Sequence, residues 1–84
     1  MEEAMINVID LIVGNSVKEY ITDVFVKILE IDWTIRDGKY TMKVETPDGK
    51  KANLHPGVDI YCTVRRDSLK ARQTPHTSEF IIQV

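Results

Sequence analysis

The sequence has few of the residues that build metal sites and disulfide frameworks. It holds one cysteine, Cys62, and two histidines, His55 and His76, with no CxxC or HxxxH pair among 84 residues. A single cysteine cannot form an intramolecular disulfide, and structural zinc sites need four ligands in paired spacings. We therefore expect no metal or other cofactor. Cys62 lies between Ile60 and Val64 in an apolar alternation, which predicts a core cysteine rather than a nucleophile.

Glycine-rich loops and long apolar runs are also missing. The four glycines are scattered singly, which excludes a glycine-rich phosphate loop. The apolar stretch within residues 4–13 is far shorter than the roughly 20 residues that a membrane span needs. Glu2 and Glu3 stand where a secretory signal carries basic residues. We expect a cytoplasmic, non-enzymatic domain that does not enter a membrane.

The charge is distributed unevenly in a chain whose length suits one domain, 1–84. Residues 1–37 contain eight acidic and three basic side chains, whereas residues 38–84 contain five acidic and eight basic ones. This asymmetry has three explanations: an anionic partner, an internally complementary fold, or self-association.

The N-terminal third has helical spacing. Apolar residues recur at intervals of three and four within residues 3–13, and Gly14-Asn15 follows as a stop signal. Ser16 and Glu19 have the spacing of a capping box, and apolar residues from 17 to 25 again line one helical face. The pattern predicts one or two N-terminal helices within residues 3–25, although β-branched residues weaken the second.

The next segment predicts a β-hairpin. Residues 29–36 alternate between apolar and polar side chains, and Asp37-Gly38 is a strong two-residue turn signal. A turn at this position fixes a register in which apolar residues face apolar ones. The expected pairs are Arg36 with Lys39, Ile35 with Tyr40, Thr34 with Thr41, Trp33 with Met42, Asp32 with Lys43 and Ile31 with Val44.

Further turns divide the rest of the chain into short strands. Thr46–Gly49 and His55–Gly57 have turn compositions, and strands are expected at 51–54, 58–65 and 78–84, with one helical turn at 68–72. The predicted fold class is α+β, in which the N-terminal helices precede an antiparallel meander of four or five strands over 27–84. Two arrangements satisfy this pattern: a sheet curled into a small open barrel of the OB or SH3-like kind, or helices packed on one sheet face.

Residues 54–70, LHPGVDIYCTVRRDSLK, resemble the end of the TOBE module found in transport ATPases and molybdate-binding proteins. That module has a glycine turn, a strand and a pattern near V-R-P-E-x-L. The resemblance covers 17 of 84 residues, and Arg66 stands where the family has proline. It implies a small barrel.

The stretch VRRDSLKAR, residues 64–72, holds four basic residues in nine. Alternation along the strand at 58–66 directs Tyr61 and Arg65 outward, and an aromatic ring among cations is how small β modules hold single-stranded nucleic acid. We therefore predict nucleic-acid binding through the outer face and end of this strand. The predicted contact residues are Tyr61, Arg65, Arg66, Lys70, Arg72 and Lys43.

Two other interpretations remain open. Arg65–Leu69 matches the consensus of basophilic Ser/Thr kinases, with Ser68 as the phosphoacceptor. Alternatively, the domain is a protein-interaction adaptor or homodimer that uses the apolar N-terminal helix and the uncharged terminal strand FIIQV, residues 80–84, at a sheet edge.

Overall fold

The computed structural model describes residues 3–73, with side chains as far as Leu69. This part of the chain forms six strands and two short 3-10 helices. The strands are β1 (Glu3–Asn7), β2 (Ser16–Glu19), β3 (Val24–Arg36), β4 (Lys39–Glu45), β5 (Lys51–Leu54) and β6 (Tyr61–Arg65); the 3-10 helices are Val8–Asp10 and Arg66–Gln73.

All six strands belong to one antiparallel sheet with the order β1-β6-β2-β3-β4-β5. Strands β2 to β5 form a meander, of which the turn signals predicted β3 to β5 but not β2. Strand β6 departs from it, because it returns across the molecule and pairs between β1 and β2. The described edges of the sheet are therefore β1 and β5.

The predicted α+β class is wrong, since residues 3–73 form an all-β domain without an α-helix. Residues 3–7 pair with β6, where Ile6 lies opposite Cys62. The helical spacing of the apolar residues has another origin, the 3-10 helix that follows β1. Side chains three residues apart lie on one side of such a helix, so Val8 and Leu11 both point into the core. Long-range pairing overrides the local preference here.

The second predicted helix, over residues 17–25, is replaced by a hairpin between β2 and β3. The Glu19 carboxylate accepts hydrogen bonds from the backbone N–H groups of Ile21 (3.1 Å) and Thr22 (2.8 Å). Asp23 has a positive φ of 60° and completes the turn. The residue that resembles a helix cap thus caps a tight turn, and the β-branched residues around it extend the strands.

The hairpin at Asp37-Gly38 is confirmed, but its register is correct only for Arg36 and Lys39. Asp32 lies opposite Thr41 rather than Lys43, so extra residues of β3 bulge out between Asp32 and Arg36. The Asp32 carboxylate stabilises this bulge by accepting a hydrogen bond from the Thr34 N–H at 3.0 Å and by contacting Arg36 at 3.2 Å. These hydrogen bonds lower the pKa of Asp32, and the one from the Thr34 backbone N–H has the largest effect.

A second irregularity in β3 lies between Ile28 and Glu30. The extra residue reverses the alternation, so that Val26 and Ile28 are buried before it and Ile31 packs against the same core after it. Ten buried residues form this core on the inner face of the sheet: Val8, Leu11, Val17, Val26, Ile28, Tyr40, Met42, Val44, Cys62 and Val64.

The last described segments differ in length from the prediction. Strand β6 begins at Tyr61 rather than at 58, because Asp59 has a positive φ of 65° and belongs to a turn. The helical turn expected at 68–72 is a longer 3-10 helix, Arg66–Gln73. The predicted fifth strand at 78–84 and His76 lie outside the described residues.

Asn15 is the only buried polar residue within the described part of the chain, and its side chain is completely enclosed. Its Oδ1 accepts from the Ile12 N–H at 3.0 Å, and its Nδ2 donates to the Ser68 carbonyl at 3.1 Å. Its backbone carbonyl accepts from the Ile28 N–H at 2.9 Å. One residue therefore joins the loop before β2, the strand β3 and the C-terminal 3-10 helix.

Replacing Asn15 by alanine should lower the free energy of unfolding by about 2–3 kcal/mol, because a buried donor and a buried acceptor lose their partners. Urea denaturation monitored by circular dichroism measures this loss. Asn7→Ala is the matched control, since Asn7 also accepts a backbone N–H, from Ile9 at 3.1 Å, but at an exposed site. The control should cost about 1 kcal/mol or less; equal losses for the two variants would contradict the role assigned to Asn15.

Candidate functional site

The outer face of the sheet carries three of the predicted contact residues. Along β6, Cys62 and Val64 are buried, whereas Tyr61 is 59% exposed and Arg65 shares its side of the strand. On β4, Lys43 points away from the core between the buried Met42 and Val44. The outward orientation predicted for Tyr61 and Arg65 is confirmed.

The remaining predicted residues lie beyond the end of β6. Arg66 begins the 3-10 helix, and its Nη2 donates to the Glu3 carbonyl at 3.3 Å. Lys70 and Arg72 belong to the same 3-10 segment, and their side chains lie outside the described part. Arg65 and Arg66 are therefore adjacent in sequence but belong to different elements.

The strand registers align the outer-face residues in rows across the sheet. Val17 pairs with Val64, which places Ser16 beside Arg65 and Lys18 beside Thr63. One row holds Glu3, Arg65, Ser16, Lys27, Glu45 and Lys51. The next row holds Met5, Thr63, Lys18 and Phe25.

A shallow groove of about 430 Å³ lies where these rows cross β2 and β3. Phe25 is half-buried and lines this groove together with the cations Lys27 and Arg65. We call this surface the Phe25 groove. It is lined by Ser16, Phe25, Lys27, Glu45, Thr46, Pro47, Gly49 and Arg65. Sequence reasoning missed Phe25 because it assigned residues up to 25 to a helix, whose faces differ from those of a strand. It missed Lys27 because, without β2, nothing placed this residue in line with Arg65.

Most outer-face cations have acidic neighbours. Lys18 lies 3.7 Å from Glu3 and 3.4 Å from Asp23, and its Nζ is 5.6 Å from the centre of the Phe25 ring. Lys43 lies 3.9 Å from Glu30. These pairs are partly or fully solvent-exposed, so each contributes little to stability. For the same reason the acidic partner competes only weakly with another anion for the lysine.

Arg65 and Lys27 differ from these pairs in their surroundings. The Arg65 Nη2 contacts the Asp67 carboxylate at 3.0 Å, whereas its Nε is buried without a hydrogen-bond partner within the described structure. Lys27 forms no salt bridge with any described side chain. Lys27 therefore has no acidic partner among the described side chains, and Arg65 retains one buried donor without an acceptor.

Ser68, the proposed phosphoacceptor, has a structural role. Its Oγ donates to the Arg65 carbonyl at 2.7 Å and accepts from the Ser16 N–H at 2.9 Å. Esterification by phosphate would remove the proton that Oγ donates, so modification of Ser68 would break its hydrogen bond to the Arg65 carbonyl.

The inner face contains a small apolar pocket of about 170 Å³. Cys62 lines it, and burial raises the pKa of this thiol because the thiolate loses its hydration. His55 also lines the pocket, and its Nδ1 is 3.2 Å from the Thr41 hydroxyl. Within the described residues, no group of three His, Cys, Asp or Glu side chains has the geometry of a metal site.

No known protein family, curated protein or solved structure matches this chain, so the resemblance to the TOBE module has no further support. Among the described residues, no helix is long and apolar enough to cross a membrane.

The burial of Cys62 predicts slow modification of its thiol. At a given pH, the native chain should react with an aromatic disulfide much more slowly than the same chain in concentrated urea, since its thiolate fraction is smaller and its access is blocked. Absorbance of the released thiol follows the reaction. Equal native and denatured rates would show an exposed thiol and contradict the burial of Cys62.

Proposed function

We propose that the domain binds single-stranded nucleic acid weakly across the outer face of its sheet. The observation that carries the proposal is the Phe25 groove, which an aromatic ring lines together with Lys27 and Arg65. Aromatic rings stack on bases of any sequence, and flanking cations neutralise phosphates. The groove adds a second aromatic platform to the exposed Tyr61.

The spacing of these residues suits a short single strand. Tyr61 and Phe25 are separated by two strand intervals and two residues along the strands, which places their Cα atoms about 12 Å apart. The Cα atoms of Arg65 and Lys27 are two strand intervals apart, or about 10 Å. Two stacked bases and the phosphates between them fit these distances.

The charge pattern makes the proposed binding weak. Glu45 lines the same groove and Glu3 lies in the same row, so the local charge is nearly balanced. With two phosphate contacts, the logarithm of the association constant should fall with the logarithm of salt with a slope of about −1.4. Stacking has to supply much of the remaining free energy, and it is worth about 1–3 kcal/mol per base.

The adaptor function expected as an alternative loses one of its two surfaces. It required an apolar face of an N-terminal helix, and residues 3–7 instead form β1, whose inner residues pack against β6 and the core. The other surface, residues 80–84, lies outside the described part.

The decisive test is the effect of Lys27→Ala on binding of a fluorescent single-stranded oligonucleotide, measured by anisotropy over a range of salt. Losing one phosphate contact should reduce the salt slope by about 0.7. Lys39→Ala is the matched control, because it removes the same charge from the far end of β4, beside the Asp37-Gly38 turn. This control should leave the slope unchanged.

Tyr61→Ala tests the stacking contribution separately. It should weaken binding about five-fold or more at all salt concentrations, because the loss of one stacked base costs about 1 kcal/mol or more. NMR titration with single- and double-stranded oligonucleotides identifies the residues that contact the nucleic acid. If no resonance of Phe25, Lys27 or residues 61–66 shifts at low salt, the proposed function is wrong.

A further inference from the structure

A second surface, on the opposite side of the sheet, is apolar and open. Ile9 is 64% exposed, Ile35 58% and Trp33 42%. Together with Leu11, Ile12 and Tyr40 they line a groove of about 570 Å³, which we call the Trp33 groove. Exposed apolar surface concentrated at one site, unlike single scattered residues, indicates a binding surface.

This groove lies beside an unpaired strand edge. Residues 24–27 of β3 pair with β2, and Ile28 makes two backbone hydrogen bonds to Gly14 and Asn15. From Leu29 onward, β3 pairs with β4 on one side, and no described residue pairs with it on the other side. Apart from the Thr34 N–H, which donates to the Asp32 carboxylate, the edge from Leu29 to Ile35 therefore presents backbone groups without a strand partner among the described residues, next to apolar side chains. This is the arrangement that accepts an added strand.

The first turn of the C-terminal 3-10 helix lies near the start of this edge. Ser68 hydrogen-bonds to Asn15 and Ser16, and Asn15 lies beside Ile28. Eleven residues, Thr74–Val84, follow Gln73 in the sequence. They can extend roughly 36 Å, whereas the edge from Ile28 to Ile35 is only about 23 Å long.

The sequence of this segment matches the surface. Four of the five residues from Phe80 to Val84 are apolar and none carries a charged side chain. In an extended strand, Phe80, Ile82 and Val84 share one face, and Ile81 and Gln83 share the other. One face thus supplies three apolar side chains to a groove lined by isoleucine and tryptophan.

We propose that residues 80–84 of the same chain bind in the Trp33 groove and pair with the free edge of β3, with Phe80 and Ile82 facing Trp33. Attachment through the short segment after Gln73 gives the docking residues an effective concentration on the order of millimolar, which favours the chain's own terminus over that of a second copy. This role is independent of the Phe25 groove on the other face.

Trp33 provides the measurement, since it is the only tryptophan. Ile82→Asp should remove the terminus from the groove and raise the acrylamide quenching constant of Trp33 about two-fold, with a red-shifted emission, because local undocking exposes the ring. Ile81→Asp is the matched control, as it makes the same substitution on the opposite face of the strand. It should leave the quenching constant close to that of the unchanged chain. Circular dichroism verifies that both variants keep the β-sheet.

Deleting residues 79–84 should reproduce the effect of Ile82→Asp without introducing a charge. Equal quenching in the unchanged chain, the Ile82 variant and the deletion would overturn the proposal. Equal effects of Ile81→Asp and Ile82→Asp would overturn the assignment of faces and with it the docking mode. A quenching constant that rises on dilution of the unchanged chain would assign the occupant to a second copy and also overturn it.

Discussion

The change of face at Leu29 in β3 is the constraint on which the rest of the structure depends. Before it, β3 contributes Val26 and Ile28 to the core and pairs with β2; after it, Ile31 packs on the same core while the strand pairs with β4 alone. Because side chains alternate with a period of two, a regular strand would direct Ile31 and Trp33 outward. The one extra residue keeps both halves of β3 in contact with one core.

The two faces of the sheet consequently have different chemistry. The outer face carries rows of charged residues and the groove around Phe25, which Lys27 and Arg65 also line. The inner face is apolar, and beyond the reach of β2 it remains open at Trp33 and Ile35. A polyanion suits the first surface and an apolar strand suits the second, so the two proposed contacts use separate chemistry and separate faces.

Local turn chemistry was predictable, because it depends on residues adjacent in the chain. The turns at Asp37-Gly38 and Thr46–Gly49 form as expected, with positive φ at Asp37 and both glycines. The burial of Cys62 and the outward direction of Tyr61 followed from alternation within one strand. The hairpin register did not, because the Asp32 carboxylate captures the Thr34 N–H and inserts residues that no alternation pattern indicates.

The sequence by itself determined the turns at Asp37-Gly38 and Thr46–Gly49, the strands β3 to β5 that these turns join, and the side of β6 on which each residue lies. Only the tertiary structure decided that Glu3–Asn7 and Ser16–Glu19 are strands, since their β-pairing partners, Tyr61–Arg65 and Val24–Lys27, are supplied by other segments of the chain. The Phe25 groove has the same origin, because it joins residues from β2, β3 and β6 that are as much as 49 positions apart. Intervals along the chain do not encode such distances; strand order and register do.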